Sequence, residues 1–407
     1  MTPRRVLFVV PPLAGHINPT LGVGGELARR GHEVAWTGYA EVLTDLLPEG
    51  RTWIPVADHL PGRLVQNIEE RASGLRGAAA LKFLWEDFLH PLAEDMVDGV
   101  AAAVARFKPD VVVVDQQTFG GAVVAEREDL LWATSATTSA ELVDSFAGLP
   151  KIREWADDLL VEFEVDHGIP RSEATADRLR YSRHLVLAFT TRALVAGELR
   201  SDAPMAFVGP AITERPDDTA FPWDRLENER RPIVLVSLGT VNAEAGQRFF
   251  QTAARALTDR GLLTVMVAPP DLVGPVPDDV LVMRRVPQLA LLPRVAAVVC
   301  HGGHNTVCES LSHGIPLVVV PIRDDQPVIA EQVVNASAGV RIRFSRPTVD
   351  TIWAAVERAL NDPVLRRGAG VVAASFAEAG GASGAADRLE QLTVGQAGAS
   401  TVVAPSP

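Results

Sequence analysis

Cysteine is nearly missing from this chain: only Cys300 and Cys308 occur in 407 residues. A disulfide framework is thereby excluded, and a reducing compartment is the default. Basic residues are in deficit, 38 Lys and Arg against 51 Asp and Glu, for a formal charge of −13. The basic face that marks a nucleic-acid partner is therefore not expected. No apolar run approaches the ~20 residues needed to span a bilayer. The opening MTPRRVLFVVPPLAGH has a short basic stretch and a short apolar run but passes straight into a Pro-Pro loop, so it reads as a first buried strand and not as a signal peptide. The expectation is a cytoplasmic protein without stable membrane insertion, a monomer or homodimer, long enough for two domains.

What the chain does contain is an alternation of strand and helix patterns. Residues 6–10 form a continuous apolar run of the kind buried on both faces of a parallel sheet. Asn18 and Pro19 read as the cap and first position of a helix that ends at Gly31, and residues 33–37 start the next strand. Residues 75–105 carry helical patterning with Phe83, Trp85 and Phe88, and residues 111–114 return as a buried strand ending at Asp115. This rhythm predicts a doubly wound α/β domain over residues 1–208. Residues 209–232, rich in Pro, Asp, Glu and Arg, read as a linker. A second α/β domain over residues 233–375 follows, with a strand at 233–237, a helix near 245–260 and a strand at 262–267. Residues 365–392 are alanine-rich and helical on both sides of Gly380-Gly381, while the Gly/Ala/Ser/Pro tail 393–407 predicts disorder. Gly22-Val23-Gly24-Gly25 hints at a dinucleotide fingerprint but falls inside the first helix pattern, not directly after the strand.

The richest stretch is VVCHGGHNTVCESLSHGIPLVVVPIRDDQ, residues 298–326. A strand at 296–300 leads into the Gly302-Gly303 turn. Asn305 is a preferred N-cap for a helix beginning near Thr306 and ending at Gly314, with Pro316 before a strand at 317–320. A helix N-terminus opening on a glycine turn suits a phosphate or diphosphate, and His301 and Thr306 add side-chain donors. Glu309, one turn on, can accept hydrogen bonds from the hydroxyls of a ribose. Cys300, His301, His304 and Cys308 are zinc-ligand types, yet Cys300 ends a buried strand and Cys308 lies inside a helix, where a small apolar residue is the simpler role. No metal is expected. In the first domain, His16 and Asp115 both follow strands of a parallel sheet, where ligands bind, and a carboxylate beside an imidazole makes a proton acceptor of fixed tautomer.

The run His-Gly-Gly-x-Asn-Thr-x-x-Glu, Gly-x-Pro and Asp-Gln resembles the donor signature of the nucleotide-sugar-dependent glycosyltransferases of family 1. The likeness extends to Val286-Pro287-Gln288, to Ser237-Leu238-Gly239-Thr240, and to Gly15-His16-Ile17-Asn18-Pro19, which is similar to the family's G-H-x-x-P opening. Bacterial members with this opening commonly modify antibiotics and other secondary metabolites. The resemblance implies the GT-B fold, two Rossmann-like doubly wound domains facing each other across a cleft. It implies an inverting transfer of a sugar from a nucleotide diphosphate to a hydroxyl of a small hydrophobic acceptor, with no cofactor required. His16 would remove the acceptor proton, supported by Asp115. His301, Gly303, His304, Asn305 and Thr306 would form the phosphate side, with Ser237, Gly239 and Thr240 facing it. Glu309 would hold the ribose, and Asp325 and Gln326 the sugar hydroxyls. Val286 and Gln288 would line the base beside Arg285, which stands where many relatives place an aromatic residue; a guanidinium can also stack there. Many thymidine-specialised relatives lack a carboxylate at the Glu309 position, so UDP-sugar is favoured over TDP-sugar. The acceptor is expected near Phe83, Phe88, Phe119 and Phe146. The helix 376–392 would return to the first domain. Two other readings use the same fold: a nucleotide-sugar 2-epimerase, against which the His16-Ile17-Asn18-Pro19 opening speaks, and a silent binding protein, which should have lost His16 or His301.

Overall fold

The computed structural model describes residues 2–61, 64, 75, 78–144, 148–213, 219–239 and 246–399. The chain divides into two compact units. One comprises Met1–Thr190, Glu198–Thr213 and Ala379–Pro407, the other Thr191–Gly197 and Glu214–Glu378. The main passage from the first to the second thus falls inside the Pro- and charge-rich segment, where Asp224–Glu227 makes a single helical turn. Among the described residues, no helix is long and apolar enough to cross a membrane.

Among the described residues of the first unit, seven strands form a parallel sheet: β1 (Arg5–Val9), β2 (Glu33–Tyr39), β3 (Thr52–Ala57), β4 (Val111–Asp115), β5 (Trp132–Ala136), β6 (Val186–Ala188) and β7 (Met205–Phe207). Their order is β3-β2-β1-β4-β5-β6-β7. Strand periodicity sorts the apolar runs onto two faces. Leu7, Val9, Val112 and Val114 enter one core, and Val6, Phe8, Val10, Val111 and Val113 enter the other.

The second core also contains Trp36 and the helix Ala14–Arg29. That helix begins four residues before the expected cap at Asn18 and carries Pro19 inside it. A proline lacks only the amide hydrogen of its own position, and this one is tolerated in the second turn of a helix held down by its apolar face. Trp36 Nε1 donates to Thr20 Oγ1 at 2.9 Å. A Cβ on Gly24 would stand 2.4 Å from the Trp36 ring. The glycine cluster is therefore a packing device that lets the helix approach an indole.

The C-terminal helix Gly381–Ala399 packs on the same face, with Ala385, Ala386 and Leu389 buried. Gly381 adopts φ +55 and its amide donates to Val208 O at 2.7 Å. Arg30 donates to Asp387 at 2.6 Å and to Glu390 at 2.9 Å. His32 Nδ1 accepts from the Arg4 amide at 3.0 Å, so its Nε2 carries the hydrogen toward Glu390 Oε1, 2.9 Å away. The helix is described as far as Ala399, and Thr393, the first residue of the tail expected to be disordered, is buried. Residues 400–407 lie outside the described residues.

Among the described residues, the second unit has a six-stranded parallel sheet: β8 (Ile233–Ser237), β9 (Leu263–Val267), β10 (Val280–Met283), β11 (Val295–Cys300), β12 (Leu317–Val319) and β13 (Gly339–Arg341). The order β10-β9-β8-β11-β12-β13 repeats the first sheet's logic. The strand order reverses at β1 and β4 in one unit and at β8 and β11 in the other, all four strands running parallel. Such switch points open crevices at the carboxyl ends of the strands.

Candidate active site

The switch point of the first sheet brings His16 and Asp115 together. Asp115 ends β4, and His16 sits in the opening turn of the helix after β1. His16 Nδ1 is 3.0 Å from each carboxylate oxygen. The carboxylate is fully buried, while 16% of the imidazole side chain is exposed. Gln117 N donates to Oδ1 at 2.9 Å. The Thr137 hydroxyl donates to Oδ2 at 2.9 Å and stands 2.7 Å from His16 Nδ1. An ionised carboxylate offers no proton, so the contact places the hydrogen on Nδ1 and makes Nε2 the basic nitrogen. That is the form a proton acceptor needs. Thr137 escaped the sequence reading because no motif marks it. Its only signal is topological: it lies two residues beyond Ser135, the register partner of Asp115.

Of the aromatic residues expected around an acceptor, Phe119 lies in the core of the first unit and Phe88 packs half-buried against it. Trp85 and Phe119 are 5% and 4% exposed and stack on each other at 5.7 Å within the core. Helical spacing identifies an apolar face but does not distinguish a core from a pocket wall. Phe146 lies outside the described residues.

The second sheet repeats the device with different chemistry. Ser237, ending β8, is in register with Cys300, ending β11. The helix His304–Ser312 has Gly303 as its N-cap, so it starts two residues before the expected Thr306. The Gly302-Gly303 turn has already set the chain's direction, and Asn305 and Thr306 fall in the first turn instead of at its cap. The first turn of a helix presents amides with no acceptor inside the helix, and its dipole favours an anion.

The His301 ring lies between two glycines. A Cβ on Gly303 would stand 2.5 Å from Nε2, and one on Gly239 would stand 2.9 Å from Cε1. Nδ1 of His301 is buried with no hydrogen-bond partner. Burial pushes this imidazole down to about 4, a contact with the Ser237 backbone opposes the shift, and the Arg323 charge adds to it. At neutral pH the ring is uncharged. In that form it can meet a diphosphate as an N–H donor.

Gln288 Nε2 donates to Glu309 Oε2 at 2.6 Å, joining the expected base and ribose contacts in one pair. Val286 is buried and Arg285 exposed. Gln326 Oε1 accepts from the amides of Ile322 and Arg323 at 2.9 and 3.1 Å, pinning the loop before the helix Gln326–Asn335, for which Asp325 is the N-cap. Thr240 lies outside the described residues. His304 Nε2 is 3.4 Å from Cys308 Sγ. Burial pushes the Cys300 thiol up to about 12 and the Cys308 thiol higher still. Among the described residues, no three His, Cys, Asp or Glu side chains gather as a metal-ligand set.

Comparison with known proteins supplies the family. Residues 259–392 match the model described as erythromycin biosynthesis protein CIII-like, C-terminal domain. The 4′-demethylrebeccamycin synthase of Lentzea aerocolonigenes is 31% identical, covering 95% of this chain and 99% of its own length. Demethyllactenocin mycarosyltransferase of Streptomyces fradiae is 29% identical, covering 95% and 86%. Among solved structures, the calicheamicin glycosyltransferase superimposes with a TM-score of 0.77 at 24% identity, over 100% of both chains. The kitacinnamycin glycosyltransferase gives 0.75 at 23%, over 96% and 100%. These two likenesses bear on the fold. With near-complete coverage at 31% identity and two doubly wound sheets of the same layout, this chain belongs to the bacterial natural-product glycosyltransferases of family 1 and is a GT-B glycosyltransferase.

Proposed function

We propose that the enzyme transfers a sugar from a nucleoside diphosphate donor to a hydroxyl of a small, largely apolar natural product, in one displacement that inverts the anomeric carbon. The first unit binds the acceptor and the second the donor. His16 Nε2 takes the acceptor proton as its oxygen bonds to the anomeric carbon and the bond to the diphosphate breaks. Asp115 holds the tautomer and meets the positive charge that forms on the ring. The observation that carries this reading is the Nδ1 contact with both Asp115 oxygens at 3.0 Å. The natural-product names of the relatives support the acceptor class, and their transferase names weigh against the epimerase reading.

On the donor side, the His304–Ser312 helix N-terminus with Gly303, His304, Asn305 and Thr306 receives the diphosphate, aided by His301 and by Ser237, Gly239 and Thr240. Glu309, steadied by Gln288, accepts from the ribose hydroxyls, which favours uridine over thymidine donors. Arg285 and Val286 border the base, and Asp325 and Gln326 face the sugar. A helix end contributes roughly 0.3–1 kcal/mol toward an anion, up to about 2 when partly buried, so the side-chain donors supply the rest. This charge handling asks nothing of a divalent ion.

The test is incubation with UDP-glucose alone, then with a panel of hydrophobic phenols and polyketides, each with and without a chelator. Slow hydrolysis until an acceptor is added, unaffected by chelation, is the expected result. An epimerised sugar formed without acceptor, or no turnover with any donor and acceptor, would overturn the reading.

A further inference from the structure

The geometry points to Thr137 as a positioning residue that locks the His16–Asp115 pair in its working tautomer and orientation. The inference rests on the reading of His16 as the proton acceptor. Three side chains leaving neighbouring strands close a triangle: Thr137 Oγ1 is 2.9 Å from Asp115 Oδ2 and 2.7 Å from His16 Nδ1, and Nδ1 is 3.0 Å from both Asp115 oxygens. Thr137 is 3% exposed and Asp115 2%. Water therefore does not compete for these bonds.

Hydrogen accounting fixes the roles. Asp115 only accepts and Nδ1 carries the ring hydrogen, so the single Thr137 hydrogen goes to Oδ2 and its lone pair faces Nδ1–H. Gln117 N already satisfies Oδ1 at 2.9 Å. Each carboxylate oxygen thus has a donor of its own besides the imidazole, and the carboxylate cannot rotate about its terminal torsion without losing one of them. Without the hydroxyl, Oδ2 is released, and the carboxylate and ring lose the contact that holds them in register. Small misplacement of a reacting group costs on the order of 100-fold in rate.

The test uses Thr137→Val, which keeps the side chain's shape and removes the hydroxyl, and Thr137→Ser, which restores it. Thr137→Val should lower kcat by roughly 10- to 100-fold with the donor KM changed less than about threefold, and Thr137→Ser should recover most of the loss. Nitrogen NMR of histidine-labelled protein should show His16 as one Nδ1–H tautomer in the unaltered enzyme and as a tautomer mixture in Thr137→Val. Two results would overturn the proposal. One is a kcat within twofold of the parent; the other is a rise confined to donor KM with the tautomer unchanged, the signature of a sugar contact. The tautomer readout does not depend on catalysis. Full activity in His16→Ala would instead remove the proton-acceptor reading and leave the spectroscopic result standing.

Discussion

The ring of His301 fills the space that a side chain at Gly303 would need, with Nε2 only 2.5 Å from an added Cβ. Gly303 has φ −61, which any residue adopts, so its side-chain-free surface matters here for space and not for backbone freedom. Gly303→Ala is expected to leave the fold intact while displacing the ring from the diphosphate side. Calorimetry should show the Kd for UDP rising by about tenfold, the size of one lost hydrogen bond to a charged group. An unchanged Kd would mean that His301 does not touch the diphosphate.

His16→Ala should retain folding and donor binding while turnover falls by a factor on the order of 10² to 10⁴, the usual contribution of a positioned base. Asp115→Asn should fall in the same direction, because an amide can hold the wrong tautomer. Single-turnover assays on purified protein check both, and full activity in either variant would dissolve the pair as a catalytic unit.

Glu309 offers a carboxylate to both ribose hydroxyls, and Gln288 holds it at 2.6 Å. UDP is expected to bind at least as well as TDP, and Glu309→Ala to narrow the difference. Gln288→Ala should act in the same direction but more weakly. A strong preference of the unaltered enzyme for TDP in a competition titration would reverse the assignment.

Acid stability should carry the mark of His301. Its imidazole titrates near 4 in the folded protein against a reference of 6.5. Between those values the unfolded chain binds the additional proton, so the residue costs stability as pH falls from 6.5 towards 4, by roughly 1–3 kcal/mol. Glu164 works in the opposite sense: burial holds its carboxyl at about 7 against 4.5, and its stabilising protonation is lost as pH rises between them. Comparing the parent with His301→Asn cancels the Glu164 contribution. Urea titrations at pH 7 and 4.5 should show the larger loss in the parent, whereas equal losses would show that the ring is not desolvated.

The clasp of Arg30 and His32 on Glu390 should stabilise the first unit. The His32 hydrogen bond, followed by Arg30, holds the Glu390 carboxyl below its usual range. This contribution is present above the ordinary carboxylate pKa and is lost as pH falls through the lowered one. Glu390→Ala should destabilise by about 1–3 kcal/mol, the range for a partly buried charged hydrogen bond, read as a lower urea midpoint. No change in the midpoint would place the helix's attachment in its apolar contacts alone.

Strand positions were legible because runs such as Val111–Asp115 are apolar on both faces, a pattern few other structures share. The donor turn was legible for a related reason: glycines, a cap residue and a carboxylate follow in an order set by one short strand-turn-helix unit. The first helix was placed four residues late because Asn18 and Pro19 imitate a helix start, and only packing against Trp36 shows that the helix is already under way. Thr137 was invisible because its function comes from the adjacency of β4 and β5, and no local spacing records which strands become neighbours. Phe119 shows the converse limit: an aromatic residue looks alike in a core and in a pocket wall, and this one packs on Trp85.

The helix Gly381–Ala399 closes the core begun by β1 and the helix Ala14–Arg29, so the first unit is assembled from both ends of the chain. During synthesis the ribosome delivers Leu389 and Glu390 only after the whole second unit. At roughly 5–20 residues per second, the apolar face around Ile17 and Leu27 waits on the order of ten seconds or more while the whole second unit emerges. The second unit, nearly continuous in sequence, is free to fold first, whereas the first unit's core stays incomplete until the helix Gly381–Ala399 has been made. A chain halted before residue 380 would hold every strand of both sheets but lack the helix that covers Ile17 and Leu27, leaving the core of the first unit open.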